Sequence, residues 1–198
     1  MLGAIIGDIV GSRFEFVEED NRGKDFAFFT ESCRFTDDSC MTLAIAKALF
    51  LCKGDYSKLR QNSISCMQEL GRAYPNAGYG YNFYHNWLMS SNPKPYNSYG
   101  NGSAMRVSPV AWVADSEEQL KELSLMVTDV THNHPEGIKG AEAIAMGIFL
   151  ARQGKNKQEI REKLSVYYPI LKDKFFTIKS LCGNYGYDFA GGWVTCQG

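Results

Sequence analysis

Thr36-Asp37-Asp38-Ser39 stands at the head of a strongly apolar run. Two adjacent carboxylates flanked by hydroxyls make an all-oxygen donor set, which suits a hard cation such as magnesium better than zinc or copper. The same residues also suit an N-cap and first-turn acids, because the helix dipole is positive at that end. Residue types alone permit both readings. Upstream, Gly7-Asp8 and Gly11 lead through a predicted helical stretch to Glu15, an acidic pair for which the plain alternative is Asp8 as a buried structural acceptor and Glu15 as an exposed side chain. Gly100-Asn101-Gly102-Ser103-Ala104-Met105-Arg106 places small residues before a predicted helix. Their backbone N–H groups suit a phosphate, or else an ordinary turn and cap. Thr131-His132-Asn133-His134-Pro135 joins two predicted helices. An H-x-H pair suits a transition metal only with a third soft ligand, so contact of His132 with a substrate, or with a helix end, fits better. Tyr79, Tyr81 and Tyr99 are suited to stacking on a base or ribose, and equally to burial in a core.

Taken in order, these four motifs resemble the signatures of the ADP-ribosylglycohydrolases, all-helical, magnesium-dependent hydrolases that release ADP-ribose from its acceptors. The resemblance covers residues 1 to about 152 and weakens from Gly154 onward. It implies that Thr36, Asp37 and Asp38 hold one side of a two-magnesium centre, and that Glu15 sits at the metal or acts on the attacking water. Glu15, Asp37 and Asp38 would then be the catalytic carboxylates. Gly102, Ser103, Ala104 and Met105 would bind the diphosphate through their backbone, and His132 would line the ADP-ribose pocket. Two metals about 4 Å apart orient a water or ribose hydroxyl and stabilise developing charge. That differs from the paired acid and nucleophile of most glycosidases. The family also carries a later D-x-D-T/S motif, and no D-x-D occurs in these 198 residues. The expectation is therefore a single ADP-ribosylglycohydrolase-like domain over residues 1–198, C-terminally truncated, with half of the metal ligands and impaired hydrolysis. A non-catalytic module that binds ADP-ribose or a nucleotide is the alternative. A fold retained for packing alone is a third reading, against which the intact acidic residues count.

The elements that must position these residues read as helices, and no segment sustains the period-2 pattern of a strand. The expected class is all-α, a compact orthogonal bundle of the resembled family's kind. Ser116 and Gln119 predict a capping box, and Leu120, Leu123, Val127 and Val130 an apolar stripe, over residues 116–131. Pro135 and Glu136 open the next helix, with Ile138, Ala141, Ala145, Ile148 and Phe149 as its buried face. Another begins at Asn156, with Glu159 three residues on. Earlier helices are predicted over residues 39–53 and 57–72. The helices opening at residues 39 and 135 carry apolar residues on more than one face and are expected in the interior. Residues 74–102 are rich in Tyr, Asn, Gly and Pro, which predicts an ordered functional loop with one short helix over residues 83–89.

A formal net charge of -1 and a pI near 6.3 exclude the basic field that binds a nucleic-acid backbone. Hydrophobic residues at 44% and charged residues at 22% match globular proteins rather than disordered or fibrous ones. The apolar opening residues lack a basic flank and contain Asp8, so no signal peptide or membrane span is read, and a cytoplasmic location is expected. Cys33, Cys40, Cys52, Cys66, Cys182 and Cys196 form no C-x-x-C pair, which predicts reduced thiols. Apolar surface left by the expected truncation predicts a homo-oligomer.

Overall fold

The computed structural model describes residues 1–15 and 26–172. In chain order its helices are α1 (Leu2–Gly11), α2 (Asp37–Cys52), α3 (Leu59–Ala73), α4 (Val110–Val113), α5 (Glu117–Thr128), α6 (Pro135–Arg152) and α7 (Lys157–Leu164). Short 3-10 turns and one π-helical segment, Phe83–Leu88, join them, and no strand runs through the described residues. The all-α class read from periodicity is what the chain adopts.

Helix α2 packs most extensively on α3, and α5 on α6. Met41, Ala44, Ile45 and Ala48 of α2 meet a core completed by Leu59, Met67, Leu120, Leu123, Ala145 and Met146, all fully buried. Each large side chain of this kind stabilises the fold by about 1.5–3 kcal/mol on leaving water. Trp87 is fully buried as well, and its Nε1–H donates to the Val130 carbonyl at 2.8 Å. That bond ties the π-helical segment to the end of α5.

Local chemistry sets the helix ends. Ser116 Oγ accepts the Gln119 N–H at 3.1 Å, while Gln119 Oε1 accepts from Asp115 N at 2.8 Å, one residue before the reciprocal partner of a full capping box. At α7 the box is complete, because Asn156 caps the Glu159 N–H and Glu159 returns to the Asn156 N–H. Pro135 occupies the first turn of α6, and His134 Nδ1 accepts the Glu136 N–H at 3.1 Å. His134, rather than His132, is thus the capping histidine.

Several expected boundaries shift. The helix read over 116–131 ends at Thr128, whose carbonyl then receives the N–H groups of both Thr131 and His132 in a terminal turn. The helix read over 57–72 begins with a 3-10 turn, Tyr56–Lys58, and the short helix near residue 83 is π-helical. No long helix follows Gly102. Asn101–Ser103 is a single 3-10 turn, and α4 begins only at Val110, after Pro109. Helix α2 is not wholly interior, since Leu43, Phe50 and Leu51 are exposed, as are Leu2 and Ile6 of α1.

Cys33, Cys40, Cys52 and Cys66 are free thiols, and Cys182 and Cys196 lie outside the described residues. Among the described residues no helix is long and apolar enough to cross a membrane.

Candidate active site

The amino end of α2 converges on Asp8 of α1. Its Oδ2 accepts the N–H groups of Thr36 (2.9 Å) and Ser39 (3.1 Å) and the Ser39 hydroxyl (2.5 Å), while Oδ1 accepts the Thr36 hydroxyl at 2.5 Å. Thr36 is itself the N-cap of α2, its Oγ1 accepting the Asp38 N–H at 3.3 Å. Neither Asp37 nor Asp38 is the cap, so both carboxylates are left over from the work of ending the helix. Asp37 is held by its backbone, which donates to the Ala77 carbonyl at 2.8 Å. The segment before Thr36 is tied to the end of α1 by Ser12 Oγ, which accepts the Arg34 N–H at 3.0 Å and donates to the Ile9 carbonyl at 2.9 Å.

The carboxylates crowd one another. Burial, then Asp38, Glu15 and Asp8, push Asp37 up to about 7 against the pull of its own backbone hydrogen bond. Burial, Asp8 and Glu15 push Asp38 to about 6, opposed by hydrogen bonds from Thr36 and its own backbone. Burial and then Asp8 raise Glu15 as well, partly offset by Arg34. Glu15, Asp37, Asp38 and Asp8 therefore lie within electrostatic reach of one another. Hard carboxylate oxygens with unmet negative charge fit a divalent cation in kind. Among the described residues no three His, Cys, Asp or Glu side chains are already closed into a metal-binding cluster. The Thr36 hydroxyl, with one donated and one accepted bond, keeps a single lone pair for any further role.

Asp37 and Asp38 line a cleft of about 500 Å³. Gly100, Asn101, Gly102, Met105, Arg106 and His132 line the same cleft, as do Tyr81, Tyr96 and Tyr99. Ser103 and Ala104 of the glycine-rich turn do not line it, nor do Glu15 and Thr36. Ser103 is fully buried and donates to the Gly137 carbonyl at 3.0 Å, which anchors the turn to the first turn of α6. The Met105 carbonyl accepts from Thr42 Oγ1 at 3.2 Å, which anchors the same turn to α2. Tyr81 and Tyr99 are exposed, so they face solvent at the cleft rather than the core. Tyr79 is partly buried and stacks on Tyr84 at 6.0 Å, beside a second cavity of about 410 Å³ that shares Gly78 and Tyr81 with the first.

The burial of Arg106 and the charge states of Arg106 and His132 were not read from the sequence. Arg106 is 1% exposed. Burial holds its guanidinium down to about 10, partly opposed by Tyr96, so it remains a cation at neutral pH. Burial and the nearby Arg106 depress His132 to about 3, so its imidazole is neutral. The cleft lining consequently combines acidic side chains with a buried cation. The partners of Asp8 and Arg106 were not legible in the sequence because they are remote. Asp8 is 28 residues from Thr36, and Arg106 is 25 from Thr131.

A helical fold whose cleft is lined by crowded carboxylates and a glycine-rich turn defines a class of helical proteins distinct from strand-built folds. Residues 1–183 match the ADP-ribosylglycohydrolase family, and the chain belongs to it. It is similar to ADP-ribosylhydrolase ARH3 of Homo sapiens, at 26% identity over 189 residues, covering 80% of this chain and 50% of that one. It is also similar to ADP-ribosylarginine hydrolase Tri1 of Pseudomonas putida (strain GB-1), at 29% identity over 184 residues, covering 80% and 47%. The chain thus spans about half the length of the curated relatives it matches. A solved structure described as an ADP-ribosylglycohydrolase-related protein complex shares the fold, with a TM-score of 0.59 at 20% identity, over 85% of this chain and 59% of that one.

Proposed function

We propose that this chain forms the ligand cleft of a magnesium-dependent hydrolase that cuts the glycosidic bond between ADP-ribose and a protein side chain or related acceptor. The observation that carries this reading is the one cleft that Asp37 and Asp38 line together with Gly102 and His132. An anionic diphosphate matches the part of the lining that joins the buried Arg106 cation to the side-chain-free backbone of Gly100 and Gly102. The scissile ribose then falls toward the carboxylates. Thr36, Asp37 and Asp38 would hold magnesium, with Glu15 beside it. When bound, the metal supplies Lewis-acid stabilisation of the charge that develops as the bond breaks.

The chain's own residues do the rest. Glu15, raised by burial and Asp8, would accept a proton from an attacking water more readily than an ordinary carboxylate. Gly100 and Gly102 let the diphosphate approach the backbone closely. Neutral His132 orients the ligand by hydrogen bonding rather than by charge. The free thiols accord with a reducing, cytoplasmic setting.

Titration calorimetry with ADP-ribose, with and without magnesium, tests the binding half, and release of ADP-ribose from modified protein tests the chemical half. Asp37→Asn is expected to abolish the magnesium dependence of both. The second reading is a module that binds ADP-ribose without cutting it. Magnesium-independent affinity with no turnover would select it.

A further inference from the structure

Arg106 is wholly buried, makes no ion pair among the described residues, and leaves its Nε without a hydrogen-bond partner. Burying a guanidinium without a carboxylate opposes folding, and an apolar side chain of similar size would pack at lower cost. Its hydrogen bonds run from Nη2 to the Val127 carbonyl (3.1 Å) and to Thr131 Oγ1 (2.7 Å). Thr131 Oγ1 in turn lies 2.6 Å from Nδ1 of His132.

Donor and acceptor bookkeeping fixes the direction of this chain of bonds. A guanidinium only donates, so it occupies a lone pair of the Thr131 hydroxyl and forces the hydroxyl proton to point elsewhere. Two acceptors lie within reach, the Thr128 carbonyl at 3.4 Å and His132 Nδ1. The Thr128 carbonyl already receives the N–H groups of Thr131 (3.2 Å) and His132 (2.9 Å), which use both of its lone pairs. The hydroxyl proton therefore goes to Nδ1, and the ring carries its own proton on Nε2. That edge of the ring faces Gly102, where an added Cβ would stand 3.2 Å from both Cε1 and Nε2. Gly102, Arg106 and His132 line the same cleft.

We infer that Arg106 is a positioning residue which, through Thr131, fixes His132 in the Nε2–H tautomer and presents that N–H to ligand at the Gly102 edge of the cleft. The ligand class it serves is one with an acceptor oxygen there, a phosphoryl or ribose oxygen, and this part rests on the ADP-ribose reading above. His132 then acts as a hydrogen-bond donor and takes no part in proton transfer.

Two-bond 1H–15N correlation spectra of the histidines, recorded on the full chain, report the tautomer without any need for turnover. The wild-type spectrum is expected to show His132 protonated at Nε2 alone, and protonation at Nδ1 would overturn the inference with no variant required. Thr131→Val keeps the shape and removes the hydroxyl. It is expected to give a tautomer mixture and an ADP-ribose affinity about tenfold weaker, as for loss of one well-placed hydrogen bond. Thr131→Ser, which restores the hydroxyl, is expected to recover both. Wild-type tautomer and affinity in Thr131→Val would sink the relay. A tautomer that responds as described, with ADP-ribose bound by none of the three proteins, supports the relay and overturns the ligand assignment instead.

Discussion

Asp8 and Asp37 both face the amino end of α2, yet their environments pull stability in opposite directions. Asp8 accepts two N–H groups and two hydroxyls, so its carboxylate satisfies donors that the helix cannot. Asp8→Ala is expected to cost about 2–3 kcal/mol, because several donors are orphaned together. Urea unfolding would check this, and a loss below the uncertainty of the melt would show that water replaces the carboxylate. Asp37 is pushed up to about 7 by burial and its acidic neighbours. Between about pH 4 and 7 the folded chain therefore binds more protons at this group than the unfolded chain does. The associated stability is present in full at acid pH and is lost as pH rises through about 7. Asp37→Asn removes the charge that must be held at alkaline pH. Without metal, that variant is expected to be more stable than the parent at pH 8 by about 1–2 kcal/mol, with the difference closing toward pH 4. Thermal melts at the two pH values, in chelator, measure it. A variant less stable than its parent at pH 8 would show that Asp37 holds the fold rather than a ligand.

The elements show where sequence reading succeeds. Ser116 with Gln119, Asn156 with Glu159, and Pro135 at a helix start were legible because each signal acts within one turn of chain. The acidic cluster at Thr36, Asp37 and Asp38 was legible as residue types, but its organisation depends on Asp8 reaching across from α1, which no local pattern encodes. Small residues after Gly100 suggested a helix entry. They serve instead to let α6 and the glycine turn come together, with His132 over Gly102 and the Ser98 carbonyl over Gly137. An added Cβ at Gly137 would stand 2.8 Å from that carbonyl and 3.2 Å from His132 Cβ, so both backbones would have to move. Gly137→Ala is accordingly expected to destabilise by about 1–3 kcal/mol and to weaken ADP-ribose binding by displacing His132. Gly147→Ala, on the same helix, meets only the far end of Leu164 at 3.4 Å and should be tolerated. Similar melting temperatures for the two variants would remove the packing argument. At the other end of α2, Lys53 sits at φ 50° and ψ 33°, a left-handed conformation better suited to glycine.

At the scale of the whole molecule, α1 and α2 pack together and both leave apolar side chains in solvent. Leu2 and Ile6, one turn apart on α1, are 77% and 45% exposed, and Phe50 near the end of α2 is 79% exposed. Leu43 and Phe50 are spaced by seven residues and so share a side of α2. Gly3, Gly7 and Gly11 recur every four residues on α1, and a Cβ at any of them would meet nothing within 4 Å. A helix with such a bare stripe lets another helix approach closely. Apolar side chains of this size, repeated on two neighbouring helices, favour burial against a second copy of the chain. Association is therefore expected to grow with protein concentration in sedimentation equilibrium. Leu2→Glu with Phe50→Glu should shift the protein toward monomer, because each buried charge opposes contact far more than the lost apolar area favours it. Neither residue lines the cleft, so ADP-ribose affinity should be unchanged in the same variant. A parent chain that stays monomeric at all concentrations would show that this face has no self-affinity. Loss of ligand affinity along with association would show instead that the copies complete each other's cleft.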